Sequence, residues 1–209
     1  MFDSVNEKLK TAEYFLNQLK HLEKDLGSLD LKELLFLTKM NLDGFLFEVI
    51  GAKDVFLQEI NKVFQLGFKS AEITIEKLLN SSLSNLVKEA IKPIKILLSD
   101  TSSWFWRLNN YRNVTAHRAL FIESGLSMKL REGATFHGGE EVELNLKNGY
   151  IKKKKDNSQI PLSLRLMLML DTEDPSRGPY PQEIIPYCEE SLKKMREFLE
   201  QLYKKIEIK

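Results

Sequence analysis

The residues best suited to chemistry lie in one short stretch, residues 104–118, which reads WFWRLNNYRNVTAHR. It holds both tryptophans of the chain, three asparagines, three arginines and one of the three histidines. On an α-helix Asn109, Asn113 and His117 are four residues apart and form one polar stripe. Arg112 precedes His117 by five residues, about 140° around the axis. The two therefore share a face only through the length of the arginine, a helix distortion or a second subunit.

These residue types suit cleavage of RNA by acid–base chemistry. His117, with a reference pKa near 6.5, can take a proton from a ribose 2′-hydroxyl or give one to the leaving 5′-oxygen. Arg112 can stabilise the charge that develops on a phosphate, and Asn113 can orient His117 or hold a phosphate oxygen. We therefore predict Arg112, Asn113 and His117 as catalytic.

Neighbouring side chains can bind a substrate backbone and its bases. Arg107 and Arg118 add local positive charge, and Tyr111 or Trp106 can stack on an unpaired base. We assign Arg107, Asn109, Tyr111 and Arg118 to substrate binding. His137-Gly138-Gly139-Glu140-Glu141 fits a turn between strands, and His137 has no partner at zinc-site spacing, so no metal or cofactor is expected.

A purely structural interpretation of the same residues competes with the catalytic one. Arg112 would then bind a carboxylate such as Glu33 or Glu48, and His117 would bind a carbonyl oxygen. Aromatic residues at helical spacing usually lie in the core, so Tyr111 is more typical of a core residue than of a base platform. A structural pair would be enclosed, whereas a catalytic pair would face an open cleft.

The elements that must position this stretch are mostly helices. Ser4 and Glu7 match a capping box at the start of helix one, Gly27 and Gly51 suggest helix ends, and Pro93 predicts a kink or break near Lys92. The predicted helices cover about residues 4–27, 30–51, 55–66, 70–79, 82–98, 102–125 and 182–205. Ser102 or Ser103 is the expected cap of the helix that carries the motif.

Alternating apolar and polar residues between Gly125 and Pro181 predict strands instead. The segments are 127–131, 142–147 and 161–170, which suggests a small antiparallel sheet inserted at about residues 126–170, before the C-terminal helix. The predicted fold is mainly α, with residues 1–209 as a single domain.

Composition places the chain among ordinary globular proteins. With 31 basic and 30 acidic residues the formal net charge is +1, so no overall field attracts nucleic acid or membrane. The single cysteine, Cys188, excludes an internal disulfide and suits a reducing compartment. The start of the sequence does not resemble a signal peptide, and no stretch predicts a spanning helix. A cytoplasmic location without membrane contact is expected.

The pattern Arg112-Asn113-x-x-x-His117, on a late helix of a helical domain, resembles the Arg-x4-6-His motif of HEPN domains. The resemblance covers the motif and, more loosely, residues 1–125 and the C-terminal helix; a sheet near residues 126–170 departs from the simplest members. It implies an up-and-down helical bundle and a metal-independent ribonuclease of the toxin or defence type. It also implies a homodimer whose two motifs line one cleft, and an antitoxin that neutralises it. The alternative implied is an inactive HEPN-like module that binds nucleotides or proteins.

Overall fold

The protein is mainly helical, as the sequence predicts. A computed structural model describes residues 1–24, 31–117, 126–130, 142–145, 150–153, 159–168 and 182–207, with side chains for residues 1–24, 33–113 and 183–206. The helices are α1 (Asp3–Lys24), α2 (Leu31–Val63), α3 (Ile75–Leu79), α4 (Asn85–Ser99), α5 (Trp104–His117) and α6 (Ile184–Glu207), with a 3-10 turn at Ser70–Glu72. The strands are β1 (Leu126–Leu130), β2 (Val142–Asn145), β3 (Tyr150–Lys153), β4 (Gln159–Leu168) and β5 (Gln182–Glu183).

The chain forms two compact units. The first comprises Met1–Leu16, Leu42–Ala119 and Cys188–Lys209, and the second comprises Asn17–Asn41 and Leu120–Tyr187. The first unit therefore contains the start of α1, most of α2, all of α3, α4 and α5, and most of α6. It carries the described part of the predicted site.

The first unit is bundle-like, with an apolar core supplied by one stripe from each long helix. Its fully or almost fully buried side chains include Val5, Leu9, Ala12, Leu16, Leu42, Phe45, Leu46, Val49, Ile50, Phe56, Ile60, Leu78, Ile91, Ile94, Phe105, Leu108, Tyr111, Cys188, Met195, Leu199 and Leu202. Most of these recur at three- and four-residue spacing, so one face of each helix is removed from water. Cys188 is a buried thiol of this core, and burial raises its pKa well above the usual value.

The capping box predicted at the start of α1 is wrong. The helix already includes Asp3, and the Asn6 amide donates to the Phe2 carbonyl at 3.1 Å. Ser4 Oγ instead donates to Glu59 Oε1 on α2, at 3.0 Å. The serine hydroxyl thus joins two helices of the first unit rather than capping its own.

The predicted helix end at Gly51 is also wrong, because α2 continues from Leu31 to Val63. A Cβ placed on Gly51 would lie 3.7 Å from the Lys8 side chain. This is an ordinary van der Waals distance, so the Lys8 side chain lies against α2 at Gly51, and the glycine does not end the helix.

Helix α4 runs without a break from Asn85 to Ser99, although it contains Pro93. Ser84 begins it, with its Oγ accepting from the Val87 amide at 3.5 Å. The burial of Ile91 and Ile94 on either side of the proline holds this part of the helix in the core. A break near Lys92 is therefore not observed. The predicted end of the next helix near Gly125 lies outside the described residues.

The second unit contains the strands, which are antiparallel throughout. Their order is β1-β4-β3-β2, with β5 also pairing with β4. In the register of β1 and β4, Leu126 is opposite Leu166 and Leu130 is opposite Leu162. In this order the long strand β4 is central, since β1, β3 and β5 all pair with it.

Candidate functional site

Helix α5 begins at a well-satisfied cap. Ser103 Oγ accepts from the Trp106 amide at 2.9 Å and donates to the Leu97 carbonyl, so the predicted cap is confirmed at Ser103. Immediately before it, Asp100 accepts from the Ser102 hydroxyl at 2.7 Å and from the Ser102 amide at 2.9 Å. These hydrogen bonds lower the pKa of the Asp100 carboxyl below its usual value; the bond from the Ser102 hydroxyl has the larger effect and the bond from the Ser102 amide the smaller. The first turn of α5 is thereby tied to the end of α4.

One face of α5 is fixed in the core by aromatic contacts. Phe105 is buried, stacks on Trp104 with ring centroids 5.1 Å apart, and meets Phe198 of α6 edge-on at 5.7 Å. Tyr111 is only 2% exposed, and burial raises its pKa to about 12, while Arg107 acts in the opposite direction. The Tyr111 ring is therefore not open to a base in this structure. These contacts set the rotation of α5 about its axis.

Arg112 and Asn113 lie at the edge of this buried face, and both side chains are half-buried. Arg112 Nη1 donates to Asn113 Oδ1 at 3.2 Å. The Arg112 Nε is excluded from solvent. The Arg112 Cζ lies 5.6 Å from the centroid of the Phe47 ring on α2. Such a cation–π contact contributes about 0.5–1 kcal/mol at an exposed site. The guanidinium of Arg112 is thus directed toward α2.

Phe47 also attracts a second cation, Lys8 of α1. Its Nζ lies 5.8 Å from the Phe47 centroid and 2.9 Å from Glu48 Oε2, with a further contact of 3.1 Å to Oε1. Phe47 itself is 55% exposed. We call Lys8, Phe47, Glu48 and Arg112 the Phe47 patch; its members come from three helices of the first unit.

The sequence did not identify Phe47 and Lys8 as candidates. One signal was available for Phe47: the core stripe of α2 passes through Phe45, Leu46 and Val49, which are all 0% exposed, and Phe47 falls outside it. An aromatic side chain off the core stripe remains in water unless something covers it. Lys8 carried no such signal, because its neighbours on α2 are distant in the sequence.

The structure describes the other predicted site residues to different extents. Arg107 is exposed and donates from Nη2 to the Ser102 carbonyl at 3.2 Å. Asn109 is half-buried. His117 is the last residue of α5, but its side chain and the whole of Arg118 lie outside the described residues. Arg112 and Asn113 are therefore the two predicted catalytic residues whose contact is described.

Glu48, proposed as the carboxylate of a structural Arg112 pair, places both oxygens within 3.1 Å of Lys8 Nζ. Glu33, the other carboxylate of that interpretation, is a residue of α2. The half-buried guanidinium of Arg112 meets an exposed aromatic ring at the surface of the first unit.

Within the part of the chain that is described, no helix has the length and apolar character required to cross a membrane. Comparisons of the chain with family models, with curated proteins and with solved structures give no match.

Proposed function

We propose that this protein is a metal-independent RNA endonuclease whose site is formed by Arg112, Asn113 and His117. The observation that supports this most is the setting of Arg112, a half-buried guanidinium that contacts Asn113 and the exposed Phe47 ring. It belongs to the Arg-Asn-x-x-x-His element of α5 that resembles the HEPN motif. A guanidinium fixed at a surface can bind two phosphate oxygens together.

The proposed reaction is an internal transfer at phosphorus. The ribose 2′-oxygen attacks the adjacent phosphorus while a neutral His117 removes its proton. The bond from phosphorus to the 5′-oxygen breaks, and a protonated His117 donates a proton to that oxygen. The products are a 2′,3′-cyclic phosphate and a 5′-hydroxyl. The reaction consumes no water, and its steps use no metal ion. Arg112 stabilises the negative charge that develops on the phosphate oxygens.

The contact between Arg112 and Asn113 suggests how the arginine is held ready. With Nη1 bound to Asn113 Oδ1, the guanidinium has fewer orientations to lose when it meets a phosphate. Asn113 is therefore proposed as a positioning residue for Arg112, in addition to the contacts with His117 or phosphate predicted from the sequence.

The same proposal includes a homodimer, because one copy supplies one His117 and the reaction uses a neutral and a protonated histidine. It also includes the HEPN-like bundle in residues 1–209 as a single domain, with the strands between α5 and α6 as an insertion. Toxin or defence activity, a neutralising antitoxin and a cytoplasmic location are parts of this proposal as well.

A binding-only HEPN-like module is the second candidate. The observation that favours it is the engagement of Arg112 with Phe47 and Asn113, since such contacts serve to bind a nucleotide or a protein equally well. Under this alternative, RNA or nucleotide binds but no phosphodiester bond is broken. Cleavage, measured separately from binding, therefore distinguishes the two.

The test is cleavage of single-stranded RNA and transfer RNA in the presence of a chelator. We expect His117→Ala and Arg112→Ala to abolish cleavage while the fold persists. Matched controls are His21→Ala, an exposed histidine on α1, and Arg196→Ala, whose Nη2 lies 3.2 Å from Glu13 Oε2 at the surface. Unchanged cleavage in both motif variants would refute the assignment of the site.

A further inference from the structure

We propose that the Phe47 patch binds single-stranded RNA, with an unpaired base on the Phe47 ring and neighbouring phosphates on Lys8 and Arg112. This inference rests on the proposed function, because Arg112 belongs to both sites. It adds a substrate class and two residues outside the motif. Phe47 supplies the surface for a base, and Lys8 supplies a second cation.

The first argument is the exposure of Phe47. Phe45 and Leu46, its neighbours on α2, are 0% exposed, while Phe47 leaves 55% of its surface in water. The Phe47 ring and the face of every RNA base are flat π surfaces, so stacking between them does not depend strongly on the base. A phenylalanine has no hydrogen-bonding group, so the contact would carry little sequence preference.

The second argument is the positive charge over the Phe47 ring, next to the part of the ring that water reaches. Lys8 Nζ and Arg112 Cζ lie 5.8 Å and 5.6 Å from the ring centroid, and they come from α1 and α5, on different helices from Phe47. A nucleotide also places an anionic phosphate next to a flat base. Aromatic side chains interleaved with cations are the common arrangement of sites for single-stranded nucleic acid.

The form of RNA follows from the accessibility of its bases. In a duplex the base faces are stacked on their neighbours, whereas in loops and single strands they can be splayed onto an aromatic side chain. The Phe47 ring can therefore contribute to binding of a single strand or loop and not to binding of an uninterrupted duplex.

The negative charge of Glu48 allows a test in which RNA binding should become tighter. Its carboxylate lies 2.9 Å from Lys8 Nζ and is mostly buried, so it offsets the charge of the lysine. A phosphate that binds Lys8 meets repulsion from this carboxylate. The variant Glu48→Gln removes the negative charge and keeps the shape, so it should bind RNA more tightly. A pair with only a structural role would give no such gain.

The experiment is fluorescence anisotropy with a short labelled single-stranded RNA, using His117→Ala protein so that the ligand stays intact. Phe47→Ala should weaken binding roughly 5- to 150-fold, the range for loss of one stacked base. Tyr14→Ala is the matched control, because Tyr14 is 58% exposed on α1 and also contacts another side chain, the ring of Phe15. Glu48→Gln should strengthen binding several-fold at low salt, with the gain decreasing as salt is added.

A ligand with abasic sites isolates the stacking contact. On fully abasic RNA of equal length, Phe47→Ala should have no effect, while Lys8→Gln should still weaken binding. Equal affinity of the Phe47→Ala and parent proteins for ordinary single-stranded RNA would overturn the inference. Absence of RNA binding by the parent, as expected of a site for a protein partner, would also overturn it.

The two proposals fail in different ways. If the wild-type protein cleaves RNA but Phe47→Ala and Glu48→Gln bind as the parent does, the Phe47 patch is wrong and the nuclease stands. If the protein binds single-stranded RNA through Phe47 but never cleaves it, the patch stands and the nuclease is wrong.

Discussion

A single added methyl group should separate α1 from α2 close to the Phe47 patch. A Cβ built on Gly44 of α2 would lie 2.7 Å from Cε1 and Cζ of Phe15 on α1. This is closer than two carbon atoms approach in a packed interior, so the ring or the helix must shift. Gly44 lies one turn before Phe47 on α2, so the shift would also reach Lys8 and Phe47.

Two effects of Gly44→Ala oppose each other. Crowding in a packed interface costs about 1–3 kcal/mol. Replacing a glycine inside a helix by alanine stabilises the folded protein by about 0.5–1 kcal/mol. We therefore expect a net loss of about 1 kcal/mol in the free energy of unfolding. In a Phe15→Ala background the crowding is removed, and the same Gly44→Ala change should stabilise the protein by about 0.5–1 kcal/mol.

The assay is urea unfolding of the four proteins of this double-mutant cycle. The structure predicts a coupling energy of about 1–3 kcal/mol between the two positions, the size of the crowding term. Equal stabilisation by Gly44→Ala with and without the Phe15 ring would refute the close approach of α1 and α2.

Three further predictions concern α5. Ser103→Ala removes the cap of α5 and should lower the free energy of unfolding, measured with urea, by about 0.5–2 kcal/mol. Ser102→Ala should lower it less, because the Ser102 amide still donates to Asp100. Tyr111 has a folded pKa of about 12 against an ordinary 10.0. Below pH 10 the Tyr111 hydroxyl is protonated in both the folded and the unfolded protein. Above pH 10 it loses its proton in the unfolded protein first, which favours unfolding. The wild-type protein should therefore lose up to about 3 kcal/mol more than Tyr111→Phe between pH 10 and 12, and parallel stability curves would contradict this. Arg112→Lys keeps the charge but not the paired donors, and it should reduce cleavage by about 10²-fold or more without unfolding the protein; cleavage at the wild-type rate would exclude Arg112 from the transition state.

The helices were largely predictable because their apolar residues recur at three and four positions. The helix continues through Gly51, where an end was predicted, and no break occurs at Pro93; both outcomes share one physical origin. Glycine and proline weaken a helix by a limited amount, and packing decides whether the helix ends there. Ile50 and Ala52 are buried on either side of Gly51, as Ile91 and Ile94 are around Pro93, so both helices continue.

Only those residues of the candidate site that are close to one another in the sequence were predictable. Arg112 and Asn113 are adjacent residues of unusual type, and their contact follows from that proximity. Phe47 and Lys8 join Arg112 through packing of α1 and α5 on α2, which no short motif encodes. The buried ring of Tyr111, in turn, favours its interpretation as a core residue, because the rotation of α5 depends on contacts with Phe198 and other distant residues.

The proposed function assigns cleavage of RNA without a metal ion to Arg112, Asn113 and His117. Its most direct test is analysis of the RNA ends produced by the purified protein in excess chelator. The proposal predicts fragments with 2′,3′-cyclic phosphate and 5′-hydroxyl ends, absent when His117→Ala replaces the wild type. Intact RNA after prolonged incubation with folded wild-type protein, or the same ends from His117→Ala, would contradict it.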